Sequence, residues 1–322
     1  MNYEHVIRAV SETPWAIRPH VLASIVEVLA VRSSGERFSA EEIRERIGAG
    51  PARRSPQRSG AIVVLPLWGV IMPKATMMTE MSGGTSLTSW RETFRAAVAD
   101  EAVGGILIDI DSPGGSVEQL TETAGEIFAA RGRKPIVAVA NGTAASGAYH
   151  LGSQADELWV TPSGMVGSIG VFTVHDDLSK MMEMDGVKTT LISAGRYKID
   201  GNPFEPLSDT AQEDLQAKVD EFYGMFVDDV ARGRRVSAEA VRDGFGQGRM
   251  ELASGAVSQG MADGIATFDE TLGRLMGSVA TTPTTVSTMD SFGSIVTLNI
   301  PVTAQMPAPI EPPEEPEEAP EE

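Results

Sequence analysis

The chain of 322 residues contains no cysteine. A disulfide framework, a thiolate nucleophile and a cysteine-ligated metal site are therefore excluded, and nothing indicates an oxidising compartment. Basic residues are also missing after Arg274, where Asp290 and the glutamates from Glu311 to Glu322 carry all the charge of a Pro/Glu-rich stretch. A net charge of −19 argues against a nucleic-acid partner, because phosphate contacts need a basic face, although the acidic end inflates the acidity of the folded part. Long hydrophobic runs are absent too. The longest, Ala61 to Met72, is broken by Pro66 and Gly69 and is too short to span a bilayer. The first twenty residues carry acids, Pro14 and Trp15 rather than the charged start and apolar centre of a signal peptide. A soluble cytoplasmic protein without a membrane anchor is expected. There is no His-Glu-x-x-His, no Walker loop and no Gly-x-Gly-x-x-Gly between strand and helix, so neither metal nor cofactor is expected.

What is present is a hydrophobic content of 42%, ample for one large core with smaller ends. Residues 1–50 read as a small helical extension, with Val21, Ile25, Val28 and Leu29 on one stripe and Ile43 with Ile47 on another. Residues 51–60, basic and rich in breakers, read as a linker. Over 61–276 β and α signals alternate: apolar runs at 61–71, 104–110, 135–140 and 187–193 enclose helical patterns near 88–100 and 116–131. Such alternation predicts right-handed crossovers and a largely parallel sheet. Leu215, Val219, Phe222, Phe226 and Val230 recur at helical spacing behind Ser208 and Asp209, predicting a long amphipathic helix over 209–232. Residues 277–322 read as a disordered acidic tail.

Three stretches carry chemistry. A strand signal from Pro135 to Ala140 runs through Asn141-Gly142-Thr143 into Ala144-Ala145-Ser146-Gly147-Ala148 and a helix-compatible Tyr149-His150-Leu151. A serine at such a corner sits on constrained backbone, and the helix start, from Gly147, offers free N–H groups to a developing oxyanion. Its plainer reading is close helix–sheet packing, and it lacks the Gly-x-Ser-x-Gly spacing of α/β hydrolases. Asp111-Ser112-Pro113-Gly114-Gly115 follows a buried-looking strand, and its glycines turn the backbone sharply, leaving Gly114 or Gly115 to donate a second oxyanion bond. Alone, Pro-Gly-Gly is only a turn. Lys198 lies beyond Ser193-Ala194-Gly195 and before Gly201-Asn202-Pro203-Phe204, surroundings that could withdraw its ammonium from water. To act as a base it must be neutral, and lowering an ordinary lysine pKa to about 7 costs roughly 4 to 5 kcal/mol. Most lysines are solvated surface residues.

Histidine offers a competing base. His150 lies one helical turn after Ser146, and His175 begins His175-Asp176-Asp177, so a Ser-His-Asp triad can be written down. A base on the same helix would project away from the serine oxygen, and paired aspartates more often start a helix. Gly167-Ser168-Ile169-Gly170-Val171 adds a second serine, read either as part of a close-packed strand or as a hydroxyl that orients the lysine.

In order and spacing these stretches resemble the SppA-type signal peptide peptidase family, and more closely its phage branch of head-maturation proteases, to which the phage lambda capsid protease belongs. The likeness covers residues 60–270. It implies Ser146 as nucleophile, Lys198 as general base, Ser168 as the lysine's orienting partner, and Gly114, Gly115 and Gly147 around the oxyanion. It further implies a crotonase-like α/β superhelix of repeated β-β-α units, shared with the Clp proteolytic subunit, in a ring-shaped homo-oligomer whose serine and lysine come in some members from neighbouring subunits. Substrates would be capsid scaffold, portal or the chain's own tail, cleaved in the host cytoplasm or prohead. Alternatives are a signal-peptide-peptidase-like protease degrading peptides in a bacterial cytoplasm, an acyl-CoA enzyme of the same fold, and a scaffold protein without activity.

Overall fold

The computed structural model describes residues 14–33, 39, 42, 56–59, 61–75, 84–280, 284–289 and 295–300. In chain order the elements are β1 (Trp15–Ile17), α1 (Pro19–Ser33), β2 (Gln57–Ser59), β3 (Ile62–Trp68), β4 (Ile71–Met72), β5 (Thr85–Ser86), α2 (Leu87–Ala99), β6 (Gly105–Ser112), β7 (Gly114–Ser116) and α3 (Leu120–Ala130). They continue with β8 (Ile136–Ala145), α4 (Gly147–Gly152), β9 (Glu157–Val160), β10 (Met165–Gly167), α5 (Ser179–Met184), α6 (Asp209–Arg234) and α7 (Ala238–Asp243). The last are β11 (Met250–Leu252), α8 (Ala253–Ser258), β12 (Gly264–Ile265), α9 (Phe268–Ala280), β13 (Thr284–Met289) and β14 (Ile295–Ile300). Two compact units divide the chain, Met1–Met276 and Gly277–Glu322. In the second, within the expected tail, β13 and β14 pair antiparallel. No described helix is long and apolar enough to cross a membrane.

The first unit is a mixed α/β structure with largely parallel sheets. Its main sheet runs β11-β10-β8-β6-β3-β2, with β9 joined to β8 and β12 to β9. Strand β6 explains its own place at the centre. It reads Gly-Ile-Leu-Ile-Asp-Ile-Asp-Ser and is buried at every position but Asp111, the continuous pattern of a strand covered on both faces. Helix α2 packs against neighbouring β3 and brings Trp90, Phe94, Ala97 and Val98 into the same core, which α3 joins with Leu120, Ala124 and Ile127, each set at helical spacing. Trp90 and Phe94 stack at 5.4 Å, an i,i+4 pair. Each such burial contributes about 1.5 to 3 kcal/mol.

A smaller sheet, β1-β7-β4-β5, stands beside the main one. The segment expected as helical extension thus enters the fold as a strand before α1, where Val21, Ile25 and Val28 are buried; Ile43 and Ile47 fall outside the described residues. The expected linker likewise contributes β2, antiparallel to β3.

Two expectations need correction. Residues 187–193 form no strand: Val187 is exposed and Ile192 is 96% exposed, so these apolar side chains have no sheet to join. The long helix does form, capped by Ser208 accepting from the Ala211 amide, but its stripe is buried unevenly. Phe226, Val227 and Val230 enter the core, whereas Leu215 and Val219 are only half-buried because the first half extends past it.

Candidate active site

Ser146 owes its position to an irregularity. Ile110 of β6 pairs with Ala140 of β8, but Ser112 pairs with Ala144, so β8 advances four residues while β6 advances two. The extra chain is pinned by acids: Asn141 donates to Asp109 at 3.1 Å, and the Thr143 amide donates to Asp111 at 3.2 Å. Beyond it Ala144 and Ala145 pair with Val166 and Gly167 of β10. The chain then turns at once into α4, with Ser146 at φ 52° and ψ −119° as its N-cap. A fully buried non-glycine residue at positive φ is strained and persists only where its surroundings fix it. Here the Ser146 amide donates to Gly167 O at 2.7 Å, and its carbonyl accepts from the His150 amide at 2.9 Å. Its hydroxyl lies 3.4 Å from Gly170 O.

Ser168 leaves the neighbouring strand in the same way, at φ 53°, half-buried, its amide donating to Arg249 O at 2.7 Å. The structure therefore brings Ser146 and Ser168 to the same end of adjacent parallel strands.

The glycines close in from the smaller sheet. Gly114, at φ +98°, can carry no side chain: a methyl there would stand 3.0 Å from Ser146 Cβ and 2.2 Å from the carbonyl oxygen of Ala16. Its amide already donates to Ser112 Oγ at 3.2 Å. A methyl on Gly115 would meet Ile71 O at 1.8 Å, and one on Gly147 would lie 3.3 Å from Ala16 O. Of the two upstream glycines, Gly115 is the one whose amide is not taken by Ser112. The residue that sequence reasoning missed here is Ala16, in a three-residue strand whose partners lie about a hundred positions away.

Lys198 is placed differently. It lies in a turn, its amide donating to Gly195 O at 3.2 Å, and its side chain is exposed, with no hydrogen bond to Ser146 or Ser168 among the described residues. The burial that the sequence suggested is not supplied by the described residues.

Neither histidine ring hydrogen-bonds to Ser146 among the described residues. His150 is buried and points along α4 to α6, where its Nε2 lies 2.7 Å from Asp229 and its ring stacks on Phe226 at 4.5 Å. Asp229 also pairs with Arg232 at 2.8 Å. His175 faces Asn202 O at 3.1 Å. The His150–Asp229 pair fastens two helices together.

The family model for Peptidase family S49 matches residues 129–281, which take in Ser146, Ser168 and Lys198 and begin after Gly115. The chain is 33% identical over 236 residues to capsid assembly protease C of Escherichia phage lambda, an alignment covering 71% of this chain and 53% of that one. It is 37% identical over 194 residues to head-tail preconnector protein GP5 of Enterobacteria phage P21, covering 60% and 38%. To the putative signal peptide peptidase SppA of Enterococcus faecium it is 32% identical over 190 residues, covering 58% and 54%. The chain spans about half or less of the length of these relatives.

Proposed function

This chain carries a peptidase family S49 domain, and on that premise we propose that it is a serine endopeptidase whose nucleophile is Ser146 and whose general base is Lys198. The observation that carries the reading is Ser146 itself, fully buried at positive φ on a strand-to-helix corner with the Gly114 backbone against it.

In the proposed reaction Ser146 Oγ attacks the scissile carbonyl carbon and gives its proton to neutral Lys198 Nζ. The amides of Gly115 and Gly147 receive the oxyanion. The resulting ammonium protonates the leaving amine as the C–N bond breaks. Water then attacks the acyl ester, yielding its proton to Nζ, and Ser146 leaves with that proton restored. Ser168 holds the amine toward Ser146.

The exposed position of Lys198 is read as an unfinished half-site. The segment that bears it exposes Ile192 and Met184, the latter at 88%, and the first half of α6 leaves Leu215 and Val219 half-covered. These apolar surfaces support a ring-shaped homo-oligomer in which one subunit's lysine reaches another's serine. Contact with that neighbour would exclude water from around Nζ. The alternation of main-sheet strand, small-sheet strand and helix, in β3-β4-α2 and β6-β7-α3, supports the crotonase-like superhelix. The names of the phage relatives support capsid scaffold, portal or the chain's own tail as substrate, in the host cytoplasm or prohead.

Intact-mass spectrometry of wild type, Ser146→Ala and Lys198→Ala with an unfolded protein substrate tests this reading. Cleavage by wild type alone, with equal size for all three, is the expected result. Cleavage that survives in Lys198→Ala removes the lysine from its role, and cleavage that survives in Ser146→Ala removes the serine.

A further inference from the structure

The strand Trp15–Ile17 lies in an unusual place. On one side it runs antiparallel to Gly114–Ser116, with Trp15 opposite Ser116, Ala16 opposite Gly115 and Ile17 opposite Gly114. The Arg18 amide donates to Pro113 O at 3.1 Å and the Val117 amide to Pro14 O at 3.3 Å. Ala16 and Gly115 sit midway between those bonds in the same phase of the ladder, so their N–H and C=O groups face each other. On the other side Trp15 exchanges both backbone bonds with Phe172, at 2.8 and 3.1 Å. The strand is thus held in a slot, along one edge and, at Trp15, on the other, and a methyl on Gly114 would meet both the Ala16 carbonyl and Ser146 Cβ.

The carbonyl of Ala16 occupies the position a scissile carbonyl would need. It faces Gly115, approaches Gly114 so closely that only glycine fits, and lies beside Gly147. Side chains alternate as in any strand. Ala16, 1% exposed, joins the main core, so the slot admits a small residue at that level. Trp15 and Ile17 point the other way, into a separate cluster formed with Val21, Leu22 and Ile25 of α1 and with Val70. The two large side chains of the strand are therefore held by α1 and Val70, and only the Ala16 methyl enters the main core, so withdrawal of the strand takes just that methyl out of it.

We propose that the slot between Gly114–Ser116 and Phe172 is the peptide-binding groove of this protein, and that Trp15–Ile17 is its resident occupant, which an extended substrate with a small central residue must displace. The proposal rests on the peptidase reading of Ser146. The physical reason is that withdrawal of β1 leaves the edge of Gly114–Ser116 and the facing Phe172 backbone with unpaired groups, which another extended peptide satisfies in the same register. While the slot is filled, the apparent affinity for any incoming peptide falls by the fraction of molecules in which it is open.

The test is binding rather than cleavage, so that it does not depend on the chemistry. A fluorescent peptide of the sequence from Glu12 to His20 is titrated against the full chain carrying Ser146→Ala, with and without Ala16→Arg, whose long cation cannot enter the buried position. On the order of tenfold tighter binding to the Ala16→Arg form is expected, with circular dichroism and size unchanged. Equal affinity for both forms, or binding to neither, overturns the proposal. Should Ala16→Arg fail to fold, hydrogen exchange of the Ser146→Ala chain at saturating peptide decides: faster exchange at residues 15–17 supports displacement, and unchanged exchange with peptide bound overturns it. A wild-type protein that cleaves nothing would overturn the peptidase reading and leave this binding result standing.

Discussion

Ser146 and Ser168 leave adjacent parallel strands one residue beyond the paired Ala145 and Gly167, and both do so in the left-handed region, at φ 52° and 53°. Two hydroxyl residues at positive φ stand side by side there, and the Ser146 amide bonds the carbonyl of Gly167, the residue before Ser168.

The positive φ of Ser168 separates its conformational role from its chemical one. Ser168→Gly is expected to be more stable than Ser168→Ala by about 1 kcal/mol, because glycine adopts this conformation without strain. Both variants are expected to lose on the order of 100-fold in kcat with little change in KM, since both lack the hydroxyl that holds the lysine. Chemical denaturation and steady-state kinetics check the two parts, and full activity in Ser168→Gly would remove the hydroxyl from the mechanism.

Gly114→Ala is expected to cost about 2 kcal/mol or more of stability. Its methyl meets the Ala16 carbonyl at 2.2 Å in a backbone conformation that side chains resist. Urea unfolding measures it, and a change under 0.5 kcal/mol would show that β1 does not press on Gly114 as described.

His150 and Asp229 act on stability. The buried pair at 2.7 Å is satisfied only while both partners are present, so Asp229→Leu is expected to cost about 3 kcal/mol or more. Where the variant remains folded at low temperature, its kcat is expected to stay within a few-fold of wild type. A loss on the order of 1,000-fold in a folded His150→Phe variant would move the base from Lys198 to His150.

Two acids should respond oppositely to pH. Burial pushes the Asp111 carboxyl above its ordinary value of 3.8, outweighing the Thr143 amide that favours the charged form. The folded state then binds more protons than the unfolded one, so stability falls as pH rises from 3.8 through the raised value. Burial works the same way on Asp263, but the bonds from Arg234 and the Leu158 amide, with the charges of Arg234 and Arg131, outweigh it and hold that carboxyl below 3.8. Its stabilisation is present above 3.8 and is lost as pH falls through the lowered value. Asp111→Asn should therefore raise the melting temperature at pH 7 and leave it unchanged at pH 3. Asp263→Asn should lower it at pH 7, with a smaller effect in acid. Thermal melts across pH read both signs.

The Ser146 corner was legible because its signals are local: an apolar strand, a breaker-rich turn, small residues and a helix start. The same holds for α6, where spacing and the Ser208 cap agree. Trp15–Ile17 and Gln57–Ser59 were not legible as strands. Three residues carry too little periodicity, and what makes them strands is an edge contributed by distant Gly115 or Val63. The run 187–193 misled for the converse reason, since apolar residues imply burial against something, and Ile192 is left exposed by the described residues. Lys198 shares that fate: its motif was legible, but the burial expected of it is not found among the described residues, where its side chain is exposed.

The irregular pairing of β6 and β8 makes the height of Ser146 a matter of counting. The two additional residues between Ala140 and Ala144 are taken up in the irregularity, so at about 3.3 Å per residue Ser146 stands roughly 7 Å short of where regular pairing would carry it along the sheet. Deleting one residue from 141–143 would turn every later side chain of the strand to the opposite face, and deleting two would restore regular pairing with Ala144 still opposite Ser112 but take away residues that Asp109 and Asp111 hold. Neither deletion removes an atom of the site. The reach of the nucleophile is written in chain length, and this segment tolerates substitution far better than it tolerates a change in its number of residues.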